Sequence, residues 1–184
     1  GVYPVLGTPA RLAQRFQPLP RTLDGMAFAD GATYSDDHGT VALGPDKEAI
    51  RWLQRTVEGS PVILEAVTPE YRWGGRVSTY TGLPTVLGWR WHEAYRKCGM
   101  GPCPAVDARG PDVARVYSTT DVEEALGLLR RYNVAYVYLG ETERLYYPGP
   151  GLTKFADMAR AGQLAVEYDD VGVIIYQVLG RAPR

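Results

Sequence analysis

From residue 46 onward the apolar positions alternate between two periods. In "DKEAIRWLQRTVEG" they fall at Ile50, Leu53 and Val57, a helical spacing, with Asp46 placed as an N-cap and Gly59 where a C-terminal cap belongs. The next run, "PVILEAV", is continuous and β-prone, which predicts a strand buried on both faces. "GRVSTYTG" then reads as a short helix and "PTVLG" as a short strand, and "PDVARVYS" starts another helix with proline in its first turn. The clearest unit is "TTDVEEALGLLRRYNVAYVYLG". Thr120 and Glu123 have capping-box spacing, Val122, Ala125, Leu126 and Leu129 form a stripe, Asn133 can end the helix, and "VAYVYLG" is a buried strand. "GLTKFADMARAG" predicts a last helix, and "LAVEYDDVGVIIYQVL" two strands around an Asp-Asp-Val-Gly turn.

Residues 1–46 break this pattern. They carry Pro4, Pro9, Pro18, Pro20 and Pro45 with no sustained period, so they read as an extended arm with short local structure, and "YSDDHGT" as a solvated loop. Helices alternating with strands and closing in a hairpin give an α/β fold. The expectation is a three-layer sandwich with a mostly parallel, Rossmann-like sheet, an antiparallel C-terminal hairpin and an irregular arm, divided into an arm at 1–46 and one α/β domain at 47–180.

Composition narrows the partners. At 184 residues, 45% hydrophobic and 22% charged, the chain is an ordinary globular protein with one main core. A net charge of −1 provides no field to gather polyanions, which argues against nucleic acid as a partner. No run of 18 apolar residues is present, and Gly1 opens on no basic or apolar targeting segment, so the chain reads either as cytosolic or as a piece of something larger. Thirteen tyrosines and four tryptophans favour contact surfaces as much as core. Cys98 and Cys103 in "CGMGPC" read either as two incidental thiols or as a small disulfide loop, the second requiring an oxidising compartment. A structural zinc site wants four ligands, and no second pair exists, so no metal is expected.

Catalytic signatures are missing. There is no G-x-G-x-x-G after a strand and no G-x-x-x-x-G-K-[ST], so no nucleotide cofactor is expected; there is no G-x-S-x-G, and His38 and His92 must serve any triad. "SDDH" (Ser35 to His38) gathers carboxylates and an imidazole in a polar loop, and His92 adjoins Glu93; a small soluble hydrolase built on either is the least supported reading. Asp46, Asp112, Asp121, Glu123 and Glu124 sit in first helical turns, where carboxylates suit the helix dipole. Two segments remain. "WRWHEAY" clusters Trp89, Arg90, Trp91, His92, Glu93 and Tyr95 past a short strand, either as sugar-binding or interfacial surfaces do or as packing, with Trp89 plugging the core and Trp91 under the arm. "ETER" places Glu141, Glu143 and Arg144 at the C-terminal end of the strongest strand, where α/β sheets bind ligands, or forms a short helix with a local ion pair.

The ordered set "VYPVLGTPAR", "RTLDGMAF", "AIRWLQRTVEGSPVILEAV", "GRVSTYTGLPTVLGW", "HEAYR", "VYSTTD" and "LLRRYNVAYVYLGETERLYYP" resembles the extracytoplasmic C-terminal region of the Chlor_Arch_YYY family, large and very hydrophobic membrane proteins. The resemblance runs from about residue 2 to 178; the tyrosine motif of the family name has only a partial echo in Tyr146, Tyr147, Pro148 and Gly149. That family's layout is similar to membrane glycosyltransferases that use polyprenyl-phosphate sugars, whose catalytic carboxylates lie in loops between membrane helices. The resemblance therefore implies a non-catalytic accessory domain on the extracytoplasmic face of the cell membrane. Its partners would be its own transmembrane domain and a glycan or polypeptide acceptor, contacted through Trp89, Arg90, Trp91, His92, Glu93 and Tyr95, and secondarily Glu141, Glu143 and Arg144. A free-standing glycan- or peptide-binding module is the alternative.

Overall fold

A computed structural model of the chain describes residues 2–15 and 22–180. Pro18 and Pro20 of the expected arm lie outside them. A π-helical turn, Tyr3–Gly7, runs into α1 (Thr8–Arg15), and a 3-10 turn, Ala27–Asp30, precedes the antiparallel hairpin β1 (Thr33–Asp36) and β2 (Gly39–Ala42). The segment expected to be irregular thus contains a hairpin. Val41 and Leu43 bury themselves with Ala29 and pack against Trp73 and Leu145, which ties the hairpin to the main body.

The body follows as α2 (Leu43–Thr56), β3 (Val62–Leu64), α3 (Arg76–Thr81), α4 (Arg90–Cys98), α5 (Pro104–Asp107), α6 (Arg109–Ser118), α7 (Val122–Arg131), β4 (Val134–Leu139), α8 (Glu141–Tyr146), α9 (Lys154–Arg160), β5 (Leu164–Asp170) and β6 (Val173–Val178). The main sheet has the order β3-β4-β6-β5. Only β3 and β4 are parallel; β4 with β6 and β6 with β5 are antiparallel. The sheet is mixed, not mostly parallel, because β6 inserts between β4 and β5. The expected strand "PTVLG" also shrinks to a single bridge, Thr85 beside Ile63. Pro84 has no N–H to extend that ladder, and the chain turns away at Gly88 towards α4.

Side chains of the central strands alternate between two cores. Val137 and Leu139 of β4 and Tyr176 and Val178 of β6 join Val116, Tyr117, Leu129, Phe155 and Met158 from α6, α7 and α9. Tyr138, Val173 and Ile175 meet Ala49, Ile50, Leu53 and Val77 from α2 and α3 on the other face. The hairpin turn at Val171–Gly172 takes positive φ at both positions (46° and 83°), as a two-residue primed turn requires.

Three helix ends differ from expectation. Helix α2 begins at Leu43, so Asp46 lies inside its first turn rather than capping it, and α2 ends at Thr56, with Val57 rather than Gly59 at the C-cap. The cap of α7 is Asp121, whose carboxylate accepts from the Glu123 and Glu124 N–H groups. Thr120 and Asp121 are both capping residues; the carboxylate, with its charge at the helix N-terminus, takes the position.

Candidate functional site

The C-terminal ends of the parallel strands β3 and β4 open on one edge of the molecule, where two very different polar groupings lie side by side. The first is buried. Arg76, at the start of α3, points into the domain between two carboxylates: Nε and Nη2 reach Asp46 at 2.6 and 3.2 Å, while Nη1 and Nη2 reach Glu143 at 3.1 and 2.8 Å. Asp46 also accepts from Trp73 Nε1 and Tyr138 Oη, each at 2.7 Å, and Glu143 from the backbone N–H of Ala66 and Gly140, each at 2.8 Å. The guanidinium lies 4.9 Å from the centroid of the Tyr138 ring. Burial works against the Arg76 charge, but Asp46 and Glu143 outweigh it and hold its pKa well above the ordinary value. Gly140 is needed at this crossing, because a Cβ there would meet the Tyr138 ring at 3.0 Å and Arg76 at 3.1 Å.

Glu65 sits beside this group, 1% exposed, with both oxygens accepting from the first turn of α3: Val77 N–H at 2.8 Å and Ser78 N–H at 3.0 Å. Burial pushes its carboxyl up to about 7 against the pull of Arg76 and of these bonds. Every oxygen of these three acids is committed to a partner within the fold. The cluster therefore locks α2, α3, β4 and α8 together at the strand ends.

The second grouping is open. Past β3, residues Val67 to Glu70 face α4 to α6 across a cavity of about 390 Å³ that Leu87, Arg90, Asp107, Gly110 and Pro111 complete. Arg90 and Asp107, with Nη2 and Oδ1 2.6 Å apart, form its rim, and on their far side lies a second cavity of about 180 Å³ beside Trp91, Tyr95, Met100 and Pro102. The Asp107 Oδ1 is buried and accepts no well-aligned hydrogen bond despite that close contact. Trp91 and Tyr95, one turn apart on α4, stack with ring centroids 5.4 Å apart and planes 10° from parallel, and each is about half exposed (52% and 51%).

The remaining residues of "WRWHEAY" hold this face in place. Trp89 packs on Tyr71 at 4.9 Å and on His92 at 5.6 Å, and His92 Nε2 shares a 2.7 Å hydrogen bond with the Tyr71 hydroxyl. The Trp91 backbone N–H donates to the Glu70 carboxylate. Glu93 points the other way, accepting from Gly88 N–H at 2.7 Å and facing Arg109 at 3.2 Å, so it fixes the turn before α4 and does not partner His92. Cys98, at the end of α4, and Cys103, just before α5, are disulfide-bonded across a sequence separation of 5. A loop this short is worth about 2 kcal/mol in the chain-entropy account. Intact-mass measurement should show two hydrogens fewer without reductant than with it; two free thiols after purification in air would contradict the bridge.

The "ETER" group divides. Glu143 is fully buried and pairs with Arg76 across a sequence separation of 67, so the expected local ion pair is not formed. Glu141 and Arg144 line a cavity of about 380 Å³ with Pro45, Asp46 and Gly172, and Arg144 donates to the Gly172 carbonyl. In "SDDH", Ser35 Oγ meets Thr40 at 2.7 Å, and Asp36 accepts from its own hairpin turn and from Tyr146 Oη at 2.6 Å. The His38 ring lies edge-on to Tyr146 at 4.0 Å. These contacts hold the hairpin on α8, and Ser35 and His38 do not form a hydrogen-bonded pair.

Glu70, Tyr71 and Asp107 complete the open site although nothing in the sequence pattern marks them. Glu65 did carry a signal, an acid inside the β-prone run "PVILEAV", which predicts a buried partner.

No protein-family model matches the chain and no curated protein matches it, so the resemblance to the Chlor_Arch_YYY family remains a likeness of ordered motifs. Among solved structures, the chain is similar to the C-terminal globular domain of an oligosaccharyltransferase from Archaeoglobus fulgidus. The likeness has a TM-score of 0.42 and 13% identity, and covers 72% of this chain and 95% of that one. It is a likeness of coarse arrangement and transfers no residue role.

Proposed function

We propose that this chain is an extracytoplasmic recognition domain that holds an acceptor for a membrane-embedded, glycosyltransferase-like region and does not itself carry the catalyst. The observation that carries this reading is the half-exposed Trp91–Tyr95 stack lining a cavity that shares Arg90 and Asp107 with a larger neighbour, on a helix anchored by a disulfide. Flat aromatic faces beside a carboxylate and a guanidinium suit ligands with apolar faces and polar edges, which describes both sugar rings and extended peptides. The disulfide fits an oxidising compartment, and the ordered motifs of the chain support the same placement.

Trp91→Ala is expected to weaken acceptor binding at least about tenfold with little change in stability, since the ring is half exposed. Titration of oligosaccharides and acceptor peptides, followed by tryptophan fluorescence, measures this. The same platform admits a second reading, a free-standing glycan- or peptide-binding module. Sequencing the gene upstream of Gly1 separates the two: hydrophobic helices encoded in frame support the first, and their absence supports the second.

A further inference from the structure

Among the described residues, a run of exposed apolar side chains lies at the N-terminus, far in sequence from the aromatic site. Val2, Val5, Leu6 and Leu12 are each more than half exposed. From Pro4 to Ala13 every residue is solvent-exposed except Gly7, which is partly covered. The π-helical turn and α1 thus stand clear of the body as one helical stretch. In water such a stretch is marginal on its own, because it is shorter than the length at which isolated helices persist and contains Pro4 and Pro9. A surface that covered its apolar side chains would stabilise it.

Charge identifies that surface. The first 23 residues contain Arg11, Arg15 and Arg21 and no acidic residue, a net +3. Because the whole chain carries −1, the remainder carries −4. An apolar, acid-free basic segment on an acidic body matches an anionic lipid surface: valines and leucines enter the acyl boundary and arginines meet the headgroups. The acidic body is repelled by the same surface, which leaves the N-terminal segment as the part suited to dock on it.

We infer that residues 2–15 form an interfacial amphipathic helix that docks on an anionic bilayer surface. The inference is independent of the acceptor reading, because it rests on other residues and no lipid contact is assigned to α4. The test is sedimentation of the 184-residue chain with phosphatidylglycerol-containing and pure phosphatidylcholine vesicles, at low and high salt, with Leu6→Asp/Leu12→Asp as the variant. These side chains are exposed, so the melting temperature should be unchanged. The expected result is binding to the anionic vesicles, weakened by salt and at least about tenfold weaker in the variant. Equal binding by the variant, or no binding to either vesicle, overturns it. So does a wild-type dimer in solution that the variant abolishes, which would assign the segment to a second copy of the chain.

Discussion

Replacing Arg76 by methionine is expected to destabilise the domain by about 3–5 kcal/mol, the cost of leaving buried charges without their partner. Methionine fills much of the same space, so the loss is electrostatic and not a cavity. Asp46 keeps Trp73 and Tyr138, and Glu143 keeps two backbone N–H donors, but the two carboxylates then face each other with no cation between them. Denaturant unfolding of the wild type and the variant measures the difference. A second arm distinguishes the ion cluster from simple packing: Asp46→Asn/Arg76→Met/Glu143→Gln removes all three charges and should recover a large part of the loss. If the single substitution cost less than about 1 kcal/mol, the cluster would not be the lock between α2, α3, β4 and α8.

The second large effect is on pH dependence. The Glu65 carboxyl rises from an unfolded value near 4.5 to about 7 in the fold, chiefly through burial. Between those values the native state binds more protons than the unfolded chain, so stability falls as pH rises. Glu65 is completely buried, so no solvent discount applies, and the shift corresponds to about 3 kcal/mol lost between pH 4.5 and 7. Asp24, Asp36 and Glu124 have lowered values and act in the opposite sense, but below pH 4.5. Among the described groups with a shifted value, Glu65 is the one whose shift spans this window. Urea unfolding at a series of pH values should show this slope in the wild type and a much flatter one in Glu65→Gln. An equal slope in both would remove Glu65 as its source.

The helices and strands were legible where a period ran long enough to be counted. The stripe Val122, Ala125, Leu126, Leu129 forms α7, and "VAYVYLG" forms β4, a strand with a core on each face. What period could not give was pairing. Continuous apolar runs such as "PVILEAV" and "VGVIIYQVL" have the same composition whether their neighbour runs parallel or antiparallel, and β6 moved into the middle of the sheet without changing its pattern. The hairpin at 33–42 leaves little periodic signal in the sequence because its strands are four residues each and rich in small or polar side chains.

The site was legible in part for a related reason. A short stretch of chain brings Trp89, Trp91, His92 and Tyr95 together by helical spacing alone, so local sequence sufficed. Asp107 and Glu70 join them from other elements, and only the fold does that. Glu141, Glu143 and Arg144 shared a tetrapeptide, yet a helix turns successive side chains in different directions. Glu143 consequently enters the buried cluster while its neighbours reach a separate cavity.

The central claim, that the α4 face is the acceptor surface, is tested most directly by amide and indole NMR on the labelled chain during titration with oligosaccharides and acceptor peptides. The expected result is saturable shifts confined to Glu70, Arg90, Trp91, Tyr95, Met100 and Asp107, abolished by Trp91→Ala in a protein that keeps its spectrum elsewhere. Saturable shifts that leave α4 untouched, or that survive Trp91→Ala unchanged, would contradict it.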